Sequence, residues 1–201
     1  MPKAWAVEIL EPQQPLAQGA ALILAVKLPE VLSFQQAARA GGVEAIHDMR
    51  VASKRLREAL RVLRPALPED SRKLMLQEVE ELNDSLGAVR DCDVIGEVFA
   101  ALAQRSKKAR DLGALVEDLA KKRRRHHREF VRLLDRLEAE GFATRYAAAM
   151  AEMATRPATG QPTLIAFAAE AISQRLEDVV ANWKSALRPG KLVPFHRQRI
   201  R

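Results

Sequence analysis

The stretch Ile46-His47-Asp48-Met49-Arg50-Val51-Ala52-Ser53-Lys54-Arg55-Leu56-Arg57-Glu58-Ala59-Leu60-Arg61-Val62-Leu63-Arg64 decides the fold class and most of the chemistry of this chain. Met49, Ala52, Leu56, Ala59, Leu60 and Leu63 follow the period of one buried helical stripe. His47, Arg50, Lys54, Arg57, Arg61 and Arg64 recur by threes and fours on the opposite side, within a stripe about 100° wide. Arg55 lies off this row. Stacked like charges cost a helix about 0.2–0.5 kcal/mol per pair, and solvated helices normally interleave acids to avoid that. Here only Glu58 borders the stripe. Such a row suits a linear polyanion, whose phosphates accept bidentate hydrogen bonds from arginine.

Working outward, prolines and glycines divide the chain into helices. Pro12, Pro15, Pro29 and the Gly41-Gly42 pair bracket a first helical region, and the basic helix runs from Val43 to Arg64, stopped by Pro65 and Pro68. Pro68-Glu69-Asp70 opens a third helix, proline and acids being favoured at helix N-termini; it continues to about Gln104. A fourth spans about Lys107 to Glu140, with Gly141 as its C-terminal cap. A shorter helix follows to Thr155, then a linker over 156–162 and an amphipathic helix from Thr163 to Leu187. No segment alternates with period two. An all-α, antiparallel up-and-down helical bundle is expected.

Composition agrees. The 201 residues are 48% hydrophobic but only 4% aromatic, a mixture that favours helix over strand. The formal net charge is +7 and the pI is about 9.9, which points to an acidic partner. A lone Cys92 offers no internal disulfide, and Leu16–Leu28 is too short an apolar run to span a bilayer. A cytoplasmic protein with no membrane partner is expected.

A second cationic run, Lys121-Lys122-Arg123-Arg124-Arg125-His126-His127-Arg128, lies on the fourth helix. Lys121, Arg124, Arg125, Arg128 and Arg132 share one helical face, and Leu112, Leu119, Phe130 and Leu137 the other. Arg123 and His126 fall toward the apolar side, which points them inward to line an interior channel. Windows 46–64 and 121–128 carry +4 and +6 where the whole chain carries +7, so the remainder is net −3. The positive charge is focused.

The run His47-Asp48-Met49-Arg50-Val51-Ala52-Ser53-Lys54-Arg55-Leu56-Arg57, followed by Leu86-Gly87-Ala88-Val89-Arg90-Asp91-Cys92-Asp93-Val94, resembles the CHAD family, the conserved-histidine α-helical domains. The resemblance covers roughly residues 16–155 well. It implies two pseudo-symmetric four-helix bundles whose basic residues surround a groove or pore for inorganic polyphosphate, and an association with polyphosphate granules in bacteria. It places the family's basic motif residues on His47, Arg50, Lys54, Arg55, Arg57 and Arg90. Ser53-Lys54 stands where the family often has Thr-Arg, so one bidentate fork is replaced by a point charge. Ile46-His47-Asp48-Met49-Arg50-Val51 also aligns with Phe195-His196-Arg197-Gln198-Arg199-Ile200. The expected organisation is one CHAD-like domain over 1–201: a first bundle at 1–155, the linker, and the start of a shortened second half at 163–201. Self-association through the 163–187 helix is the corollary.

Simpler roles compete for the other polar residues. His126 and His127 point about 100° apart on a helix and all four histidines sit among cations, so no metal site and no cofactor are expected. His47 and His196 are expected to bind phosphate when protonated, with tighter binding at pH 6 than at pH 8. Asp91 and Asp93 are two residues apart, do not face one another, and are assigned to ion pairs with the arginine-rich helix. Glu78, Glu80, Glu81 and Asp84 counterbalance the basic helices. No phosphate loop, paired-cysteine zinc pattern or nucleophile elbow is present, so no enzyme is expected. The expected function is polyphosphate binding through His47, Arg50, Lys54, Arg55, Arg57, Arg61, Arg64, Arg90, Lys121, Arg124, Arg125, Arg128, His196 and Arg199. The alternative is binding of the nucleic-acid backbone, against which the scarcity of stacking aromatics counts. A phosphoanhydride-hydrolase accessory or a metal-binding domain ranks below both.

Overall fold

The computed structural model describes residues 2–104 and 109–186. The helices run in chain order as α1 (Leu16–Leu32), α2 (Gln35–Arg39), α3 (Val43–Val62), a 3-10 turn (Arg64–Ala66), α4 (Glu69–Ala103), α5 (Ala109–Ala139), α6 (Phe142–Ala154) and α7 (Leu164–Ala186). Among the described residues the only extended pairing is an isolated antiparallel bridge between Pro15 and Thr163. The all-α bundle expected from the sequence is the fold observed.

Local chemistry sets most ends. Pro68 precedes Glu69 and Asp70 at the start of α4, where acids meet unpaired N–H groups and the positive end of the helix dipole. Gly141, at φ +69°, reverses the chain between α5 and α6 in the left-handed region that glycine enters freely. Two sequence boundaries move. Pro29 does not end α1 but sits inside it; the helix closes with the Ser33 amide on the Pro29 carbonyl at 2.9 Å. α3 ends at Val62, because Pro65 disfavours helical backbone at Arg64 and a 3-10 turn follows.

The longest packing runs along α4 and α5, with α3 on the other side of α4 and α1 between α3 and α6. Leu24, Leu28 and Val31 of α1, Ile46, Met49, Leu56 and Leu60 of α3, and Val79, Leu82, Leu86 and Val89 of α4 share one core with Phe130, Leu134 and Leu137 of α5 and Tyr146, Met150 and Met153 of α6. Because Pro29 is passed, Leu16–Arg39 reaches the length and hydropathy of a membrane span, contrary to the shorter estimate from sequence; half of its most apolar window is buried inside the bundle. The only acid in α1, Glu30, is 1% exposed and paired with Lys27 at 3.0 Å and Arg55 at 2.8 Å. The 156–162 linker and the start of α7 are tied to the segment before α1. The Leu16 amide donates to the Pro162 carbonyl at 3.0 Å and the Leu164 amide to that of Gln14 at 2.9 Å.

Candidate anion-binding site

On α4, residues 79, 82, 86, 90, 93 and 97 fall on one face by steps of three and four. Its first half is apolar and buried, as Val79, Leu82 and Leu86. Then the same face becomes charged, as Arg90, Asp93 and Glu97. A core-facing stripe that turns ionic without leaving its face needs partners for its buried charges, Asp93 among them.

α3 lies against this region. The Arg50 guanidinium crosses Gly87, its Nε and Nη2 3.5 Å from where a Gly87 Cβ would sit. Arg50 Nε and Arg90 Nη1 are buried and have no hydrogen-bond acceptor among the described residues. Arg90 Nη1 stands 3.7 Å from the Glu97 carboxylate, beyond hydrogen-bond reach. Lys54 is the next cation along α3. Desolvation holds its pKa below the ordinary lysine value, repulsion from Arg50 and Arg57 adds to this, and Asp91 opposes it. Two arginines whose buried Arg50 Nε and Arg90 Nη1 lack hydrogen-bond acceptors among the described residues thus stand near an exposed lysine on the same side of α3. An incoming anion would meet all three at once.

The rest of the basic row is answered by acids. Arg57 donates to Glu58 at 3.0 and 3.1 Å. Arg61 reaches Glu58 at 3.1 Å and Glu80 of α4 at 2.6 Å. Arg64 is exposed on the 3-10 turn. Arg55 is not brought to the site: its Nη1 bonds Glu30 and its Nη2 donates to the Pro2 carbonyl at 2.7 Å. The family-like placement of Arg55 is thus occupied by a structural pairing that ties the N-terminal segment to α1 and α3. His47 is half-buried, one turn before Arg50.

On α5, Lys121, Arg124, Arg125 and Arg128 are exposed and stand on the face opposite buried Phe130 and Leu134. They form a separate basic face; Lys121 pairs with Asp118 at 3.0 Å and Arg125 lies 3.9 Å from Glu129. The inward residues of this helix differ from expectation. His126 is paired with Glu129 at 3.0 Å on its own helix. It is His127 that turns inward, donating from Nε2 to the Ala38 carbonyl at 3.0 Å, three residues from Phe130 and four from Arg123. Nor does Arg123 line a channel. Its Nε donates to Asp93 of α4, and its Nη2 to the Gly41 carbonyl at 3.0 Å. This clamp joins α4 and α5 to the entry of α3, where Gly41 takes φ +87°. Asp93 therefore serves α5 rather than the arginine-rich α3, while Asp91 acts on Lys54 of α3. His196 and Arg199, with the repeat around them, lie outside the described residues.

Of the four acids expected to counterbalance the basic helices, Glu80 and Glu81 meet α3 and α5, whereas Glu78 meets α6. Glu80 meets Arg61, Glu81 meets Arg136 and Glu78 meets Arg145. No cluster of three or more His, Cys, Asp or Glu suited to a metal occurs among the described residues.

The family model described as CHAD domain matches residues 23–201. The chain belongs to the CHAD family. The crystal structure of the CHAD domain from the plant Ricinus communis is similar over 100% of this chain and 66% of that chain, with a TM-score of 0.69 and 22% identity, which establishes the shared fold. An uncharacterised protein of Mycobacterium tuberculosis strain H37Rv is 27% identical over 110 residues, 55% of this chain and 20% of the relative. Its counterpart in strain CDC 1551 is 26% identical over the same length. The chain thus spans about a fifth of the curated relatives it matches. In this CHAD protein the motif cations Arg50, Lys54 and Arg90 meet at one seam, and Arg55 does not.

Proposed function

We propose that this protein binds inorganic polyphosphate at the α3–α4 seam, as a binding module rather than an enzyme, and that it does so in the cytoplasm at polyphosphate granules. The observation that carries the proposal is the pair of buried guanidinium donors on Arg50 and Arg90 that have no acceptor among the described residues, beside the exposed Lys54. CHAD domains are known in general for polyphosphate binding, which supports the same partner. A phosphate seated over Gly87 accepts from Arg50 Nε and Arg90 Nη1 and restores the proton affinity of Lys54. The next phosphates along the chain meet His47 on one side and Arg57 and Arg61 on the other, where they compete with Glu58 and Glu80. Arg123 and Asp93 act as positioning residues that hold the three helices in register.

The exposed α5 face of Lys121, Arg124, Arg125 and Arg128 favours a second reading, non-specific binding of a nucleic-acid backbone, since a solvated row of cations gains from counterion release on any polyanion. Competition decides between them. Long-chain polyphosphate is titrated at physiological salt with duplex DNA of equal total charge as competitor. Polyphosphate winning supports the seam; equal competition overturns it in favour of the nucleic-acid reading.

A further inference from the structure

The two ends of the basic row on α3 have different surroundings. At the Gly87 end, Arg50 Nε is buried and has no acceptor among the described residues. Farther along, one carboxylate oxygen serves two arginines. Glu58 Oε1 accepts from Arg57 Nε at 3.1 Å and Nη2 at 3.0 Å, and from Arg61 Nη1 at 3.1 Å. Arg61 Nη2 then donates to Glu80 Oε1 of α4 at 2.6 Å. Charges of alternating sign, Arg57–Glu58–Arg61–Glu80, are thereby strung across the α3–α4 seam. Glu80, Asp84 and Gly87 follow steps of four and three on α4, so acids border this half of the seam from that helix too. The four linked side chains are between 25% and 49% exposed. Solvated pairs of this kind add little to folding, so their charge acts chiefly on what approaches the seam.

We propose that Glu58 and Glu80 are specificity-determining residues that set how the seam weighs chain length. They hold down its affinity for long polyphosphate and leave a short oligophosphate unaffected. This rests on the polyphosphate reading of the seam and assigns the length preference within it.

Distance along α3 separates the two ligands. Glu58 is eight residues beyond Arg50, about 12 Å along the axis at 1.5 Å per residue. That exceeds the screening length of about 8 Å at physiological salt. Tripolyphosphate has three phosphorus atoms joined through two bridging oxygens, too short to lie on Arg50 and Arg61 together. A long chain seated over Gly87 continues past Arg57 and Arg61. There its phosphates must draw hydrogen bonds from arginines already donating to carboxylates, and they meet those carboxylates as like charges. Glutamine at 58 or 80 keeps the shape of the side chain and removes the charge.

Titration calorimetry of the full chain with tripolyphosphate and with long-chain polyphosphate, at physiological salt, is the test. The proteins are the parent, Glu58→Gln, Glu80→Gln, the double variant, and Glu152→Gln, which removes one charge from an exposed position on α6. Glu58→Gln should raise long-chain affinity roughly fivefold, the upper range for one exposed pair, and the double variant should raise it further. Tripolyphosphate affinity should change by less than about twofold, because the carboxylates lie beyond the screening length. Glu152→Gln should leave both unchanged. Equal gains on the two anions in Glu58→Gln overturn the proposal and leave the seam reading standing, as does an equal long-chain gain in Glu152→Gln. A long-chain affinity that falls in Glu58→Gln overturns it too. A parent that binds neither anion overturns the seam reading, and the proposal with it. Helical circular dichroism should match the parent throughout; if Glu58→Gln misfolds, Glu80→Gln alone carries the same comparison with the Arg57–Glu58 contact intact.

Discussion

Replacing Arg50 by methionine separates a residue kept for binding from one kept for folding, because the two predicted effects have opposite signs. Methionine retains an unbranched stem to lie across Gly87 but removes the guanidinium. A buried donor left unsatisfied costs about 1–3 kcal/mol. Arg50 is half-buried rather than enclosed, so solvent screening puts the relief at the low end, about 1 kcal/mol. Lys54 also loses a repulsive neighbour, and its pKa moves back toward the ordinary lysine value. The free protein should therefore melt about 2–4 °C higher, the shift that 1 kcal/mol produces in a domain of this size. Binding should move the other way. Losing charge-assisted hydrogen bonds of about 1.5–3 kcal/mol weakens polyphosphate affinity roughly 10- to 100-fold. Thermal denaturation followed by circular dichroism reads the first effect and titration calorimetry with polyphosphate the second. A variant that melts lower and binds as tightly as the parent would refute the reasoning and make Arg50 a structural residue.

Replacing Arg50, Lys54 and Arg57 together by alanine should reduce the slope of log affinity against log salt by about 2–3, as expected for three lost phosphate contacts; an unchanged slope would move the site elsewhere. Arg123→Met leaves the Asp93 carboxylate, 4% exposed, without its partner, and urea denaturation should show a loss of about 3–5 kcal/mol; adding Asp93→Asn should recover most of it, and an additive double variant would break the clamp assignment. Burial raises the pKa of Glu78 despite its bond to Arg145. Its contribution to stability is therefore full below the unfolded carboxylate value and is lost as pH rises through the folded one. Relative to Glu78→Gln, the parent should gain stability between pH 7 and pH 4, and equal pH profiles would count against that shift. Because the Lys54 pKa is lowered in the free protein, polyphosphate affinity should fall as alkaline pH approaches that lowered value. Lys54→Arg, which stays charged, should flatten this limb.

The helical bundle and the α3–α4 placement of Arg50, Lys54 and Arg90 were legible in the linear order of residues. A period of three and four, the motifs His47–Arg57 and Leu86–Val94, and the glycine at 141 are local features, and helices form from local hydrogen bonds that such patterns specify. Which cations remain available was not legible. Arg55 and Arg50 are five residues apart on the same helix. Arg55 is claimed by Glu30, 25 residues earlier in the chain, whereas the buried Arg50 Nε has no acceptor among the described residues. Asp93 gave no sign that its partner would be Arg123, 30 residues on, or that Arg123 would also reach Gly41. His127 rather than His126 turned inward because one residue's rotation, about 100°, decides which of two neighbours faces the core. The sequence by itself determined the helices, their apolar faces and the concentration of positive charge. Only the tertiary structure decided which charges are answered by distant acids and which buried donors have no acceptor among the described residues. Ion pairing depends on through-space distance between distant segments, and no local period encodes that.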